Sequence, residues 1–471
     1  MADLNLSYTP ATELARMYRA GEASPVDVVK NSLSRIGDVN PTLNCFCFTY
    51  PEEALAKAKT AEQAFASGTA RPLEGIPMAI KDFTPTKGKI TTRGSRLLED
   101  WVPDFDPALV RRLEGAGAIM VGKTTTPEFA TSGLTDSPLW GYTRNPWNPD
   151  RTTGGSSGGS GAAVASGCVP FAEGTDMGGS VRIPGALCGI VGHKPSLGRI
   201  PMDIINTTFD NISHFGPLAR TVSDAALFLD TVQGEDPWDI QSLPRCEISI
   251  PVPADVKGMR LAYDVDLGFC AIEKGIADNM MVVVEALRDA GAVVDEVDLG
   301  WDRGIVDLWY ETWAIFMATA YADLTDVPLN ENRERMSDGL VSLIEQGQDI
   351  SAVTARRGEF ERTRYWHKLA AVLENHHALL CPTMAVVAPT VETRDSDFGW
   401  DDENGLYHPM DLTAQFNYTG QCPALSVPSG FSDGLPTAVQ IVARKWDDAL
   451  ALRIGAAIET IMPWAGARPA L

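Results

Sequence analysis

Two glycine-flanked serine clusters lie close together in the chain, Gly154-Gly155-Ser156-Ser157-Gly158-Gly159 and Gly178-Gly179-Ser180, and Ser156 and Ser180 are 24 residues apart. A serine hydroxyl becomes a nucleophile once a neighbouring group takes its proton. Glycines around it let the backbone approach a reacting group closely and adopt φ/ψ values that other residues avoid. A Gly/Ser-rich run on its own reads as a flexible linker. Here Ala162, Ala163, Val164, Val169 and Phe171 lie between the clusters and call for burial, so the segment reads as part of a folded site.

Other stretches accompany it in a fixed order: Gly75-Ile76-Pro77-Met78-Ala79-Ile80-Lys81-Asp82, Gly216-Pro217-Leu218-Ala219-Arg220-Thr221-Val222-Ser223-Asp224, Gly420-Gln421-Cys422-Pro423-Ala424-Leu425-Ser426-Val427-Pro428 and Gly434-Leu435-Pro436. With these motifs the chain resembles the amidase signature family of serine hydrolases over nearly its whole length. It is more similar to the stand-alone hydrolases than to amidotransferase subunits. The resemblance implies a Ser-Ser-Lys triad, a convergent variant of triad logic. Ser180 is then the nucleophile, Ser156 the bridging serine and Lys81 the base. It also implies a cis Gly155–Ser156 bond, an oxyanion hole built from the backbone N–H groups of Met177, Gly178, Gly179 and Ser180, and a helix beginning near Ser180. Ser157, Thr175, Asp176 and Arg182 match positions that support this loop by hydrogen bonds. Phe129 and Thr131, in a loop that borders the acyl site in the family, are expected pocket residues. As a base, Lys81 must be partly neutral, whereas a free lysine titrates near ~10.4, so burial has to lower it by several units. The apolar run Ile76, Met78, Ala79, Ile80 suits a buried strand end where that happens.

Three other signals point elsewhere. Gly117-Ala118-Ile119-Met120-Val121-Gly122-Lys123-Thr124 matches a phosphate-binding loop literally. Such a loop needs a strand before its first glycine and a helix opening at its Gly-Lys-Thr. Pro107 to Glu114 reads as a helix, Ala118 to Val121 as the strand, and Pro127 disfavours a helix at Lys123. The six histidines form no metal-binding pattern, and His193 and His214 are the candidates for a histidine base if the triad were Ser-His-Asp. The eight cysteines lack CxxC spacing and are expected as free thiols, mostly buried, in a reducing, cytoplasmic compartment. No metal or cofactor is expected.

These residues need a scaffold. An apolar content of 44% is ample for a core, and 471 residues fit one large α/β unit. A net charge of −23 argues against nucleic-acid or anionic membrane partners. The N-terminus lacks the basic and apolar regions of a signal peptide, and no window has the apolar length of a membrane span. Ser24 caps a helix with Pro25 at its first position, and Val26, Val29, Leu33 and Ile36 line one face. Glu52 to Ala66 reads as a second helix. From Leu73 onward short apolar strands alternate with helices, with strands at Ala118–Val121, Arg260–Tyr263, Ala378–Cys381, Ala424–Val427 and Ala438–Val442. Helices follow at Ser223–Val232, Ala277–Ala290 and Asp448–Ile461. The expected class is α/β, a mixed sheet between helices on both faces, which the resemblance sharpens to one α/β/α domain over 1–471. Its parts are N-terminal helices (1–70), a catalytic core (71–240), a variable helical lid (301–373) and a return of the chain to the sheet (374–465).

The lid carries Trp309, Tyr310, Trp313, Phe316, Tyr321, Phe360, Tyr365 and Trp366, a content that hints at an apolar or aromatic substrate, although most such rings serve packing. The expected activity is cleavage of the C–N bond of an amide, anilide or carbamate through an acyl-enzyme, as in an aryl acylamidase or urethanase. The alternative is the glutaminase subunit of an aminoacyl-tRNA amidotransferase. That branch carries Ser-Asp-Thr-Gly-Gly-Ser followed by Ile-Arg-Gln-Pro, whereas Thr175-Asp176-Met177 and Ile183 stand here. A catalytically silent binding protein on the same fold is disfavoured by the presence of Lys81, Ser156 and Ser180 together. The amphipathic N-terminal helices could serve a homodimer contact.

Overall fold

Side chains alternate across a strand, so neighbouring residues report on opposite faces. In the computed structural model, which describes residues 2–471, Met78 and Ile80 pack with Phe171, Phe215 and Phe228, while Ala79 and Ala172 pack with Val121, Val164 and Leu218. The same division recurs further on, where Leu380 and Ile441 face one way and Leu379 and Val442 the other. Both faces of the sheet are therefore covered, as their near-continuous apolar runs require.

The sheet has eleven strands of mixed direction. Across it the order is Phe46–Thr49, Ile119–Thr124, Pro77–Lys81, Phe171–Asp176, His214–Ala219, Val191–Lys194, Ala424–Ser432, Leu435–Ala443, Ala378–Pro382, Arg260–Tyr263, Val293–Glu296. Helices Val222–Val232, Lys274–Asp289 and Asp448–Ile461 cover one face. Pro25–Leu43, Pro51–Ser67 and Gly158–Ala165 cover part of the other, and Ala352–Asn375 packs on the rest. The α/β class with helices on both faces is as the sequence predicts. So is the cap at Ser24, whose Oγ accepts from the N–H of Val26 (3.1 Å) and Asp27 (3.3 Å). Residues 301–373 are mostly helical, with long helices at Gly304–Leu324, Asp338–Asp349 and Ala352–Asn375.

The phosphate-loop pattern dissolves in this context. Helix Ala108–Gly115 precedes it, Ile119–Thr124 is a strand, and only the short turn Glu128–Ala130 follows. Lys123 is fully buried, donates to the carbonyl of Thr84 at 3.1 Å and lies 3.6 Å from the Asp82 carboxylate, so it is not displayed to a phosphate. All eight cysteines are free and six are buried. Among the described residues no helix is long and apolar enough to cross a membrane.

Candidate active site

Lys81 is the last residue of a strand that runs parallel to both its neighbours. Its side chain thus emerges at the carboxyl ends of parallel strands, where α/β sheets commonly place their sites. It has no solvent exposure. Its Nζ donates to Ser156 Oγ at 2.6 Å and to Thr175 Oγ1 at 2.9 Å. Burial pushes the ammonium down to about 7, against the pull of the Glu173 and Asp176 carboxylates. Glu173, equally buried, is pushed up to about 7 by the same desolvation. Its Oε2 accepts the backbone N–H of Lys81 and its Oε1 accepts Thr84 Oγ1, both at 2.9 Å. Burial drives each group toward its neutral form, and the charge of the other opposes that shift.

The two serine clusters meet at this point. The Gly155–Ser156 bond is cis, as the resemblance implies. Next to it, the Ser157 N–H donates to the Ser180 carbonyl at 3.1 Å, and Ser157 Oγ to the Thr175 carbonyl at 3.3 Å. Ser156 is fully buried, while Ser180 is partly exposed, the arrangement a relay behind a nucleophile needs.

Asp176 organises the turn that carries Ser180. Its carboxylate accepts the N–H of Gly179 (2.8 Å) and Val181 (3.2 Å), both Nε and Nη2 of Arg182 (3.0 Å each), and Asn417 Nδ2 (2.8 Å). Burial alone would raise this carboxyl; the Arg182 guanidinium, with Asn417, reverses that and holds it well below the usual carboxylate range. Arg182 is itself fully buried and donates onward to the Thr413 carbonyl (3.0 Å) and Gln440 Oε1 (3.1 Å). Asp176→Asn leaves the guanidinium buried without its counter-charge and is expected to cost about 3–5 kcal/mol of stability. Denaturant unfolding of the two proteins measures this, and a loss under about 1 kcal/mol would separate the turn from the ion pair.

The Gly179 N–H is committed to Asp176, whereas those of Met177, Gly178 and Ser180 find no acceptor among the described residues. Gly179 sits at φ +119°, and a Cβ there would lie 1.8 Å from Thr413 Oγ1, so only glycine fits. Helix Arg182–Leu187 begins just after Ser180, and its first turn is closed by the Ile183 N–H on the Gly179 carbonyl at 2.7 Å.

Phe129 lies at φ 48° and packs with Met177 and Trp309 against the cluster around Trp313, Met317 and Ile344. Thr131 turns its hydroxyl back to the Glu128 carbonyl at 2.7 Å. His214 is a buried peg: Nδ1 meets the carbonyls of Ile212 (2.9 Å) and Asp176 (3.2 Å), and Nε2 that of Gly420 (3.2 Å). Burial and the charge of Lys194 push it down to about 3. His193 is buried 3.7 Å from Asp448. Neither ring bonds to a serine of the two clusters.

Sequence reasoning did not single out Glu173, Thr413 or Asn417, and it named Trp309 only as one of the aromatic residues of 301–373. A carboxylate directly after Val169, Phe171 and Ala172, which call for burial, was a usable signal for Glu173. Thr413 and Asn417 carry no local signal. Trp309 Nε1 donates to the Met177 carbonyl at 2.9 Å. From it a row of rings climbs helix Gly304–Leu324: Trp309 stacks on Trp313 (centroids 6.2 Å, 14°), and Trp313 on Phe316 (5.8 Å, 7°).

The chain is also similar to known proteins. Residues 27–452 match the model of the Amidase family. An acylamidase of Rhodococcus erythropolis is 35% identical, the alignment covering 100% of this chain and 99% of that protein. A glutamyl-tRNA(Gln) amidotransferase subunit from Chloroflexus aurantiacus is 34% identical over 99% of each chain. Among solved structures, a bacterial aryl acylamidase of the amidase signature family superposes with a TM-score of 0.91 at 30% identity, covering 98% of this chain and 97% of its own.

Proposed function

The chain belongs to the amidase family and is an amide-cleaving hydrolase; from that premise we propose a stand-alone enzyme that acts on aryl amides or carbamates through Ser180, Ser156 and Lys81. The observation that carries this reading is the 2.6 Å hydrogen bond from Lys81 Nζ to Ser156 Oγ, made by an ammonium that burial has brought down to about 7. A base titrating near the working pH combines the right protonation state with adequate basicity.

In the forward direction neutral Lys81 takes the proton of Ser156 Oγ. Ser156 takes that of Ser180 Oγ, which attacks the acyl carbon. The N–H groups of Met177, Gly178 and Ser180 receive the oxyanion, and Gly179 keeps Asp176 in place. One such donor is worth about 3 kcal/mol in the transition state. The proton then returns from Lys81 through Ser156 to the leaving nitrogen, the C–N bond breaks and the amine departs. Water repeats the sequence on the Ser180 ester, releasing the acid and restoring the hydroxyl. Thr175 holds Nζ on the line to Ser156.

The aromatic row Trp309–Trp313–Phe316, with Phe129 and Met177 beside the turn, supports an apolar, ring-bearing substrate. The similarity to an acylamidase and an aryl acylamidase supports the same class. The glutaminase reading draws on the similarity to an amidotransferase subunit. Met177 and Ile183 stand against it, where that branch carries threonine and glutamine.

The test is amine release by the purified single chain from an aryl amide, an aryl carbamate and glutamine, with Ser180→Ala as control. Aniline release lost in the variant is the expected result. Ammonia from glutamine alone, or no turnover until partner chains are added, would transfer the assignment to the amidotransferase branch.

A further inference from the structure

In a trans peptide unit the carbonyl of one residue and the N–H of the next point in opposite directions. Anchoring a carbonyl therefore aims the following N–H. Every carbonyl of the turn from Asp176 to Gly179 is anchored. That of Asp176 meets Asn417 Nδ2 (3.1 Å) and His214 Nδ1 (3.2 Å), and that of Gly178 accepts Thr413 Oγ1 (2.7 Å). Gly179's accepts the Ile183 N–H (2.7 Å). These partners come from the sheet, from the C-terminal return of the chain or from the turn's own helix. The remaining carbonyl, Met177's, is held by Trp309 Nε1 at 2.9 Å, and Trp309 belongs to the lid helix Gly304–Leu324.

The contact is tight as well as directional. A Cβ on Gly178 would lie 2.2 Å from Trp309 Cζ2, so the indole lies directly against the Gly178 backbone. Trp309 is stacked in turn on Trp313 and, through it, on Phe316.

We propose that Trp309 is a positioning residue of the lid: its indole N–H, by holding the Met177 carbonyl, aims the Gly178 N–H at the developing oxyanion. This rests on the functional reading above and goes beyond it. Lid seating and oxyanion stabilisation become one event, so the fit of a substrate against the aromatic row is read out in kcat rather than in binding alone.

The experiment compares the wild type with Trp309→Phe, which keeps a ring and loses the N–H. A second variant places at position 309 the benzothienyl isostere of tryptophan, with sulfur replacing N–H at unchanged shape, and preserves the test if the phenyl ring leaves a gap. Expected for both is a kcat about 10–100-fold lower on an aryl amide, with KM within about threefold. A trifluoromethyl ketone, which forms the oxyanion, should weaken by the same factor, while the product carboxylate should bind as before. A merely structural role would weaken both inhibitors together or only lower Tm, and that pattern overturns the proposal. Isostere kinetics equal to wild type overturn it too. With Ser180→Ala in the same assay the two levels separate: Ser180-dependent turnover with an inert position 309 removes only this inference, whereas turnover that ignores Ser180 removes the functional reading as well.

Discussion

Ser180→Ala is expected to lower amide turnover by about 10⁴–10⁶-fold while leaving the protein folded. The loss is large because the other parts of such a constellation act through the nucleophile and cannot compensate for it. The fold is spared because Ser180 is partly exposed and its structural bonds run through its backbone, notably the carbonyl that accepts the Ser157 N–H. Losing one hydroxyl at such a position changes stability by about 0.5 kcal/mol or less. Amine release and thermal unfolding, measured on the same preparation, decide the matter. Residual turnover above about 1% of wild type, in a protein of unchanged Tm, would assign the attack to another group.

The second large effect is on pH. In the proposed mechanism the reactive form has Lys81 neutral, so kcat/KM should fall about tenfold per unit as pH drops below about 7 and level off above it. Lys81→Met, close in length and without the amine, should cost about 10³–10⁴-fold and abolish that limb. A limb that persists in the variant would remove lysine from the proton path. Glu173 provides a finer check. Its charge raises Lys81, so Glu173→Gln should move the limb to lower pH. Stability responds to the same pair with two signs. Glu173, raised above its unfolded value of about 4.3, contributes stability that is lost as pH climbs through about 7. Lys81, lowered from about 10.4, leaves the unfolded chain binding more protons between about 7 and 10.4, so stability recovers with pH there. The pair's joint contribution is therefore smallest near neutrality.

Much of this was legible because it is local. Glycines bracket the two serines, and the apolar residues before Lys81 predict the buried strand end on which it sits. The strand expected at Ala438–Val442 begins instead at Leu435, and its partner runs on to Ser432. Asp433 and Gly434 between them both have positive φ, the Asp-Gly hairpin geometry that carries two strands right up to their turn. That signal was present in the sequence. The partners of the catalytic turn were not legible, since Trp309 lies 132 residues from Met177, Thr413 235 from Gly178 and Asn417 241 from Asp176. No periodicity or turn chemistry spans such distances. The Thr131 hydroxyl is used by the carbonyl three positions earlier, a local bond that the motif does not announce.

The dependence of the Ser180 turn on Thr413, Asn417 and Gln440 has a bearing on biosynthesis. Lys81, Ser156 and Ser180 are all translated before Thr413, Asn417 and Gln440. The hydroxyl that seats the Gly178 carbonyl is added 235 residues later, on the order of ten to fifty seconds at about 5–20 residues per second. Until then Arg182 lacks the Thr413 carbonyl, Gln440 and Asn417, and Asp176 lacks Asn417. The Ser180 turn of a nascent chain is thus expected to gain its full set of hydrogen bonds only once the segment holding Thr413, Asn417 and Gln440 has been made.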